Sequence, residues 1–117
     1  MIEPAKIVLD RGKFAEHAEA YWELLKKRDD AISANEETAK LNQIAAYWAQ
    51  KGLVYDLLSP LLSHDSERVR YGAAATLLNY GAPPTAITAL QELAASSRGL
   101  IGPTVGLLLR TKGIGLK

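Results

Sequence analysis

The stretch "SHDSERVRYGAAATLLNYG", residues 63–81, carries all its charges in its first half and none after Arg70. Its apolar spacing predicts a helix near residues 66–80. On a helical wheel of about 100° per residue, Arg70 falls among the apolar side chains of one half of this helix. An arginine in that position needs acceptors, because an unpaired buried charge is very costly. The predicted acceptors are the carboxylates of Asp56 and Asp65, or the carbonyl groups that end the preceding helix.

The opposite half of the same helix is predicted to be open and to bind a partner. Its side chains are small, aromatic or polar, and an earlier helix adds a tyrosine of the kind that anchors interfaces. The predicted partner-binding residues are Tyr47, Arg68, Tyr71, Ala75 and Asn79. Residues 71–97 carry a single charge, Glu92. This low-charge region is either buried by neighbouring helices or presented to a partner as a weakly polar patch, and the sequence leaves both alternatives open.

The rest of the chain also shows the periodicity of helices and no sustained strand-like alternation. The predicted helices lie near residues 13–33, 36–51, 53–62, 66–80, 84–96 and 104–111. Gly12 is expected to separate an N-terminal extension, residues 1–12, from the first helix, and residues 112–117 are expected to be a loose tail. The connections between helices are short, which favours antiparallel packing of neighbours. The sequence therefore predicts an all-α single domain across residues 1–117.

A longer stretch, "LLSPLLSHDSERVRYGAAATLLNYG", residues 57–81, resembles a HEAT-type repeat, with a leucine-rich helix, an acidic turn, Val-Arg and an alanine-rich helix. The matching positions are Leu57, Leu58, Leu61, Leu62, Val69, Arg70, Ala73, Ala74 and Leu77. With "AKLNQIAAYW", residues 39–48, the wider span of about 13–111 is similar to a family of small bacterial proteins of unknown function. The resemblance implies a HEAT-like stack of about three antiparallel helical hairpins (an α-α superhelix) and a structural role for Arg70 between repeats. His64 stands where the repeat usually has aspartate. A small bacterial immunity or adaptor protein is compatible with this resemblance.

The sequence shows no arrangement of residues that is typical of catalysis. The acidic pairs 29–30 and 36–37 are adjacent on their helices, so their side chains point about 100° apart and do not face one cleft. Asp29 lies near an apolar stripe and is predicted to bond Asn42 as a polar clamp between the first two helices. With no cysteine and two isolated histidines, we expect no metal, no cofactor and no enzyme activity.

The charge balance bears on partners and location. The chain has 14 basic and 13 acidic residues and a net charge of +1, which gives no general attraction to nucleic acid or anionic membranes. Lack of cysteine, of a secretory pattern and of an apolar run near 20 residues favours a cytoplasmic location without a membrane. We therefore expect a protein partner or self-association. The alternative is a nucleic-acid-associated helical protein that uses Arg68, Arg98, Arg110 and Lys112.

Overall fold

The computed structural model describes residues 5–26, 31–97 and 99–114, and every regular element in these ranges is helical. In chain order the elements are α1 (Ala5–Lys26), α2 (Ala31–Gln50), α3 (Val54–Leu58), a 3-10 helix (Ser59–Ser63), α4 (Glu67–Leu77), α5 (Pro84–Ser96) and α6 (Ile101–Thr111). The all-α prediction is confirmed. Two residues singled out from the sequence, Asp29 and Arg98, lie outside the described residues. Among the helices described, none combines the length and the apolar character needed to cross a bilayer.

The first helix starts earlier than the sequence suggested, and the expected break at Gly12 was wrong. Residues 5–12 form the first turns of α1, in which Ile7 and Asp10 are buried. A glycine inside a helix costs only about 0.5–1 kcal/mol relative to alanine, and burying one isoleucine side chain offsets that cost. The described part of this helix extends to Lys26, and residues 31–33, which were predicted to belong to it, lie in α2.

Proline determines the form of the helices that contain it. The helix predicted near residues 53–62 is divided into α3 and the 3-10 helix, and Pro60 stands in the first turn of the latter. The fifth predicted helix has the bounds of α5. In contrast, α6 begins three positions before residue 104, with Pro103 in its first turn. Proline is tolerated there because the first N–H groups of a helix have no intrahelical partner.

The centre of the molecule is α4, which packs against α1, α3, the 3-10 helix, α5 and α6. Consecutive helices also pack in pairs, α1 with α2 and α5 with α6. The side chains of Val69, Ala73 and Leu77 are completely buried. Burial thus explains the low charge of α4, where six of eleven residues are buried, whereas only four of the thirteen residues of α5 are buried.

One of these contacts covers a face of α4 that was predicted to be open. A Cβ atom at Gly72 would lie 3.1 Å from the Cβ of Ala18 on α1. Gly72 and Thr76, both on the predicted open half, are buried. The absence of a side chain at Gly72 therefore lets α1 approach α4 closely, and only part of that half remains accessible.

Polar contacts tie α1 to the helices beside it. The indole Nε1 of Trp48 donates a hydrogen bond of 2.8 Å to the buried carboxylate of Asp10. Arg11 donates from Nε to the carbonyl oxygen of Leu57 at 2.7 Å and from Nη2 to that of Asp56 at 2.8 Å. These bonds satisfy carbonyl groups at the end of the short helix α3, which has too few residues to bond them internally.

Candidate functional site

The accessible part of the predicted partner-binding half of α4 lies in an open groove with a volume of about 340 Å³. Helix α4 and the turn that follows it line this groove with Arg68, Tyr71, Gly72, Ala75, Thr76 and Asn79. Four of the five predicted partner-binding residues are among them. We refer to this cavity as the α4 groove.

Three other helices complete the α4 groove. Both α1 and α6 pack directly on α4, while α2 packs on α1. They contribute Ala18, Tyr21, Trp22, Thr38, Leu41, Asn42, Leu108 and Lys112. The sequence did not indicate that these residues share a cavity with α4, because a helical wheel finds the faces of one helix and not the helix that lies opposite.

One end of the α4 groove is aromatic. The rings of Trp22 and Tyr71 meet edge to face with centroids 5.5 Å apart, and Tyr21 meets Trp22 in the same way at 5.4 Å. Burial, with a smaller contribution from Tyr21, raises the pKa of the Tyr71 hydroxyl above its ordinary value. The Tyr71 hydroxyl therefore stays neutral at physiological pH and remains able to donate a hydrogen bond.

Arg68, in the first turn of α4, is already engaged within the protein. Its Nη1 lies 3.0 Å from Oε2 of Glu23 and 3.6 Å from Oε1 of Glu19, both on α1. The sequence placed Arg68 on the open half of α4 as a partner-binding residue. The close packing of α1 beside α4 brings two carboxylates to it and balances that charge.

The other end of the α4 groove is polar. Asn79 follows the end of α4, eleven residues after Arg68, and a helical rise of about 1.5 Å per residue puts these two positions about 16 Å apart. The start of α6 borders a separate cleft beside Arg68, so Lys112, which follows the end of α6, lies toward Asn79. Asn42 on α2 lines the same groove.

The side chains of Asn42, Asn79 and Lys112 are exposed, and none makes a hydrogen bond or ion pair with the residues described. Asn42, which was predicted to form a polar clamp with Asp29, is thus exposed on α2. Leu41 and Ala45 turn toward the core, and Asn42 lies about 100° away from Leu41 on the helix. The contact with Asp29 itself falls outside the described residues.

Among the residues described, the α4 groove offers aromatic rings, hydroxyls, amides and one ammonium group without an ion-pair partner, and none of its lining residues carries a carboxylate. No protein-family model, curated protein or solved structure matches this chain. In the part of the chain that the structure describes, no three or more histidine, aspartate or glutamate side chains are grouped so as to hold a metal ion.

Arg70 points away from the α4 groove and contacts the backbone. Its Nη1 donates to the carbonyl oxygen of His64 at 2.6 Å and to that of Asp65 at 3.1 Å. These carbonyls follow the 3-10 helix, so the acceptors are backbone groups and not the carboxylates of Asp56 or Asp65. Arg70 holds the turn before α4 against the body of that helix.

Tyr47, the fifth predicted partner-binding residue, does not line the α4 groove. It is exposed on α2, and its ring meets that of Trp48 edge to face at 5.2 Å. The ammonium groups of Lys6 and Lys51 lie 4.9 and 5.2 Å from the centre of its ring. Tyr47 therefore belongs to a separate surface where two cations pack on its ring.

Proposed function

We propose that this chain is a non-catalytic protein-binding module and that the α4 groove holds a segment of its partner. One observation carries the proposal: four helices bring Tyr71, Ala75 and Asn79 together with an aromatic cluster and a polar rim in one open cavity. Its volume of about 340 Å³ lies at the lower end of the range of about 300–1,000 Å³ that is typical of ligand sites. Such a cavity suits a few side chains of a partner.

The residues that line the α4 groove support binding without catalysis. General acid–base chemistry needs a group that exchanges protons near the working pH. The ionisable groups in the α4 groove are two tyrosines, Lys112 and the ion-paired Arg68. Burial raises the pKa of Tyr71 and so moves it further from that range. We accordingly propose no enzyme activity and no cofactor.

We further propose that the helices form a HEAT-like stack of three hairpins. The pairs would be α1 with α2, α3 and the 3-10 helix with α4, and α5 with α6. Supporting this arrangement, α4 contacts helices of both neighbouring pairs, and Arg70 bonds the turn between the two helices of the middle pair. A small cytoplasmic immunity or adaptor protein would act through a rigid groove of this kind.

Binding to nucleic acid is the second candidate, and it has weaker support. Of the four cations that this alternative uses, Arg68 is neutralised by Glu19 and Glu23, and Arg98 lies outside the described residues. Nucleic-acid surfaces carry a wider basic stripe than the remaining two cations supply. Protein binding is therefore the function that we propose.

A site-specific photocrosslinking experiment tests the proposal. A photoreactive phenylalanine analogue replaces Asn42 or Asn79 in the α4 groove, and Gln43 or Arg110 as exposed controls outside it, in the cell that naturally makes the protein. We expect one discrete protein adduct from both groove positions and none from the controls. Equal adducts from all four positions, or no adduct from either groove position, would contradict the proposal.

A further inference from the structure

The lining of the α4 groove includes hydrogen-bond donors that make no bond with the residues described. Asn42, Asn79 and Lys112 come from three separate segments and line one cavity. Their side chains have no partner among the residues described. Two amides and one ammonium group supply N–H donors that suit a carboxylate, since charge-assisted hydrogen bonds are the strong ones.

The charge around the polar end favours an anion. Among the residues described, no aspartate or glutamate lines the α4 groove, and the carboxylates of Glu19 and Glu23 pair with Arg68 at the opposite end. In sequence, residues 93–117 contain four basic residues and no acidic residue. Lys112 therefore lies in a stretch of sequence that holds only basic charges. It has no ion-pair partner among the residues described, and an acidic ligand supplies a counter-ion.

The opposite end selects an apolar group. Trp22 is buried, and the rings of Tyr21 and Tyr71 each pack edge to face against its ring. The adjoining floor is formed by Ala18, Ala75 and Leu41. An aliphatic or aromatic side chain of a ligand that enters this end packs on the rings and buries its apolar surface. It meets no unpaired charge there, because Arg68 already forms ion pairs with Glu19 and Glu23.

We infer that the α4 groove recognises a peptide segment that carries an apolar anchor for the aromatic end and an aspartate or glutamate for Asn42, Asn79 and Lys112. This inference rests on the proposed function and adds the chemistry of the partner. Tyr71 at the aromatic end and Asn79 at the polar end are eight residues apart, which corresponds to about 12 Å along a helix. A peptide of about twelve residues spans about 18 Å as a helix and more when extended, so it reaches both ends in either conformation.

Peptide selection followed by charge reversal tests the inference. Random twelve-residue peptides are displayed on phage and selected on the immobilised full chain, and the enriched peptides are synthesised with a fluorescent label for anisotropy measurements. We expect enriched peptides to combine an apolar residue with an aspartate or glutamate. Lys112→Glu is expected to weaken their binding about tenfold or more.

Two controls make the result specific to the α4 groove. Arg110→Glu introduces the same change of charge at an exposed position on α6 that does not line the groove, and it should leave affinity within about twofold. Exchanging the acidic residue of the peptide for lysine should restore binding to the Lys112→Glu variant and weaken binding to the unmodified chain. This reciprocal exchange would not occur if Lys112 acted only through stability.

The failure of this inference is distinguishable from failure of the proposed function. Asn42→Trp should block the α4 groove, whereas Gln43→Trp adds the same ring at an exposed neighbour. Suppose that Asn42→Trp blocks peptide binding but the peptides show no preference for acidic residues, or that Lys112→Glu and Arg110→Glu weaken binding equally. Either result would overturn the carboxylate recognition alone. Peptides indifferent to Asn42→Trp, or the enrichment of none, would overturn both.

Discussion

Arg68 and Arg70 lie two positions apart on α4 and have different tasks. Arg70 is half-buried and donates to two backbone carbonyls that follow the 3-10 helix. Arg68 reaches the opposite side and forms exposed ion pairs with Glu19 and Glu23. Residues two apart on a helix point about 200° away from each other, so one helix uses the same residue type to hold a turn and to hold a neighbouring helix.

We expect Arg70→Ala to lower the free energy of unfolding by about 1–3 kcal/mol, because two carbonyl acceptors lose a charged donor and the packed stem is lost. Arg68→Ala should cost about 0–1 kcal/mol, as is usual for exposed ion pairs. Chemical denaturation of both variants measures the difference. An equal midpoint for the two variants, or a larger loss for Arg68→Ala, would mean that Arg70 does not hold this turn.

Tyr71 is predicted to link stability to alkaline pH. Burial raises its pKa above 10.0 in the folded chain, so between the two pKa values the unfolded chain releases a proton that the folded chain keeps. The stabilisation is present below about pH 10 and is lost as pH rises through the folded pKa. A titration of tyrosinate absorbance should show one late phase that Tyr71→Phe removes and Tyr47→Phe leaves. If Tyr71→Phe leaves the late phase in place, the assignment is wrong.

At the scale of the helix, glycine has opposite consequences in α1 and α6. Gly12 lies on the exposed side of α1, and no atom stands within 4 Å of the point that a Cβ would occupy there, whereas a Cβ at Gly102 would lie 2.8 Å from the carbonyl oxygen of Ser97. Ser97 ends α5. The space at Gly102 is therefore what allows α6 to begin so soon after α5.

We expect Gly12→Ala to stabilise the chain by about 0.5–1 kcal/mol through helix propensity. Gly102→Ala should destabilise it by about 1–3 kcal/mol, because a backbone oxygen stands where the methyl group must go. Thermal unfolding followed by circular dichroism compares the two variants. If Gly12→Ala lowered stability, Gly12 would be needed as a break in α1. If Gly102→Ala left stability unchanged, the connection between α5 and α6 would be able to shift and make room for the methyl group.

The whole molecule has nearly balanced charge, and Arg68 is paired with Glu19 and Glu23 within the protein. Affinity for duplex DNA grows with the number of cations that contact phosphates. We expect weak, sequence-independent binding that disappears at physiological salt, as measured by fluorescence anisotropy with a labelled duplex. A submicromolar complex under those conditions would favour nucleic acid over protein as the partner.

The sequence by itself determined the helical class, the bounds of α5 and the composition of one face of α4. These features depend on local spacing, on proline and on capping residues, which act within a few positions of the chain. The wheel also predicted that Tyr71, Ala75 and Asn79 lie together, and they do line one groove. Such residues share a face because the helical repeat is fixed, whatever surrounds it.

Only the tertiary structure decided what lies opposite that face. It brought Glu19 and Glu23 to Arg68, Trp48 to Asp10, and Lys112 and Asn42 to the same cavity as Asn79. These partners are separated by tens of positions in sequence, and their meeting depends on how α1, α2 and α6 pack around α4. Periodicity specifies which side of a helix is apolar, but packing between helices specifies which neighbour covers it. Because α1, α2 and α6 pack around α4, the face of α4 that remains accessible lies in a groove.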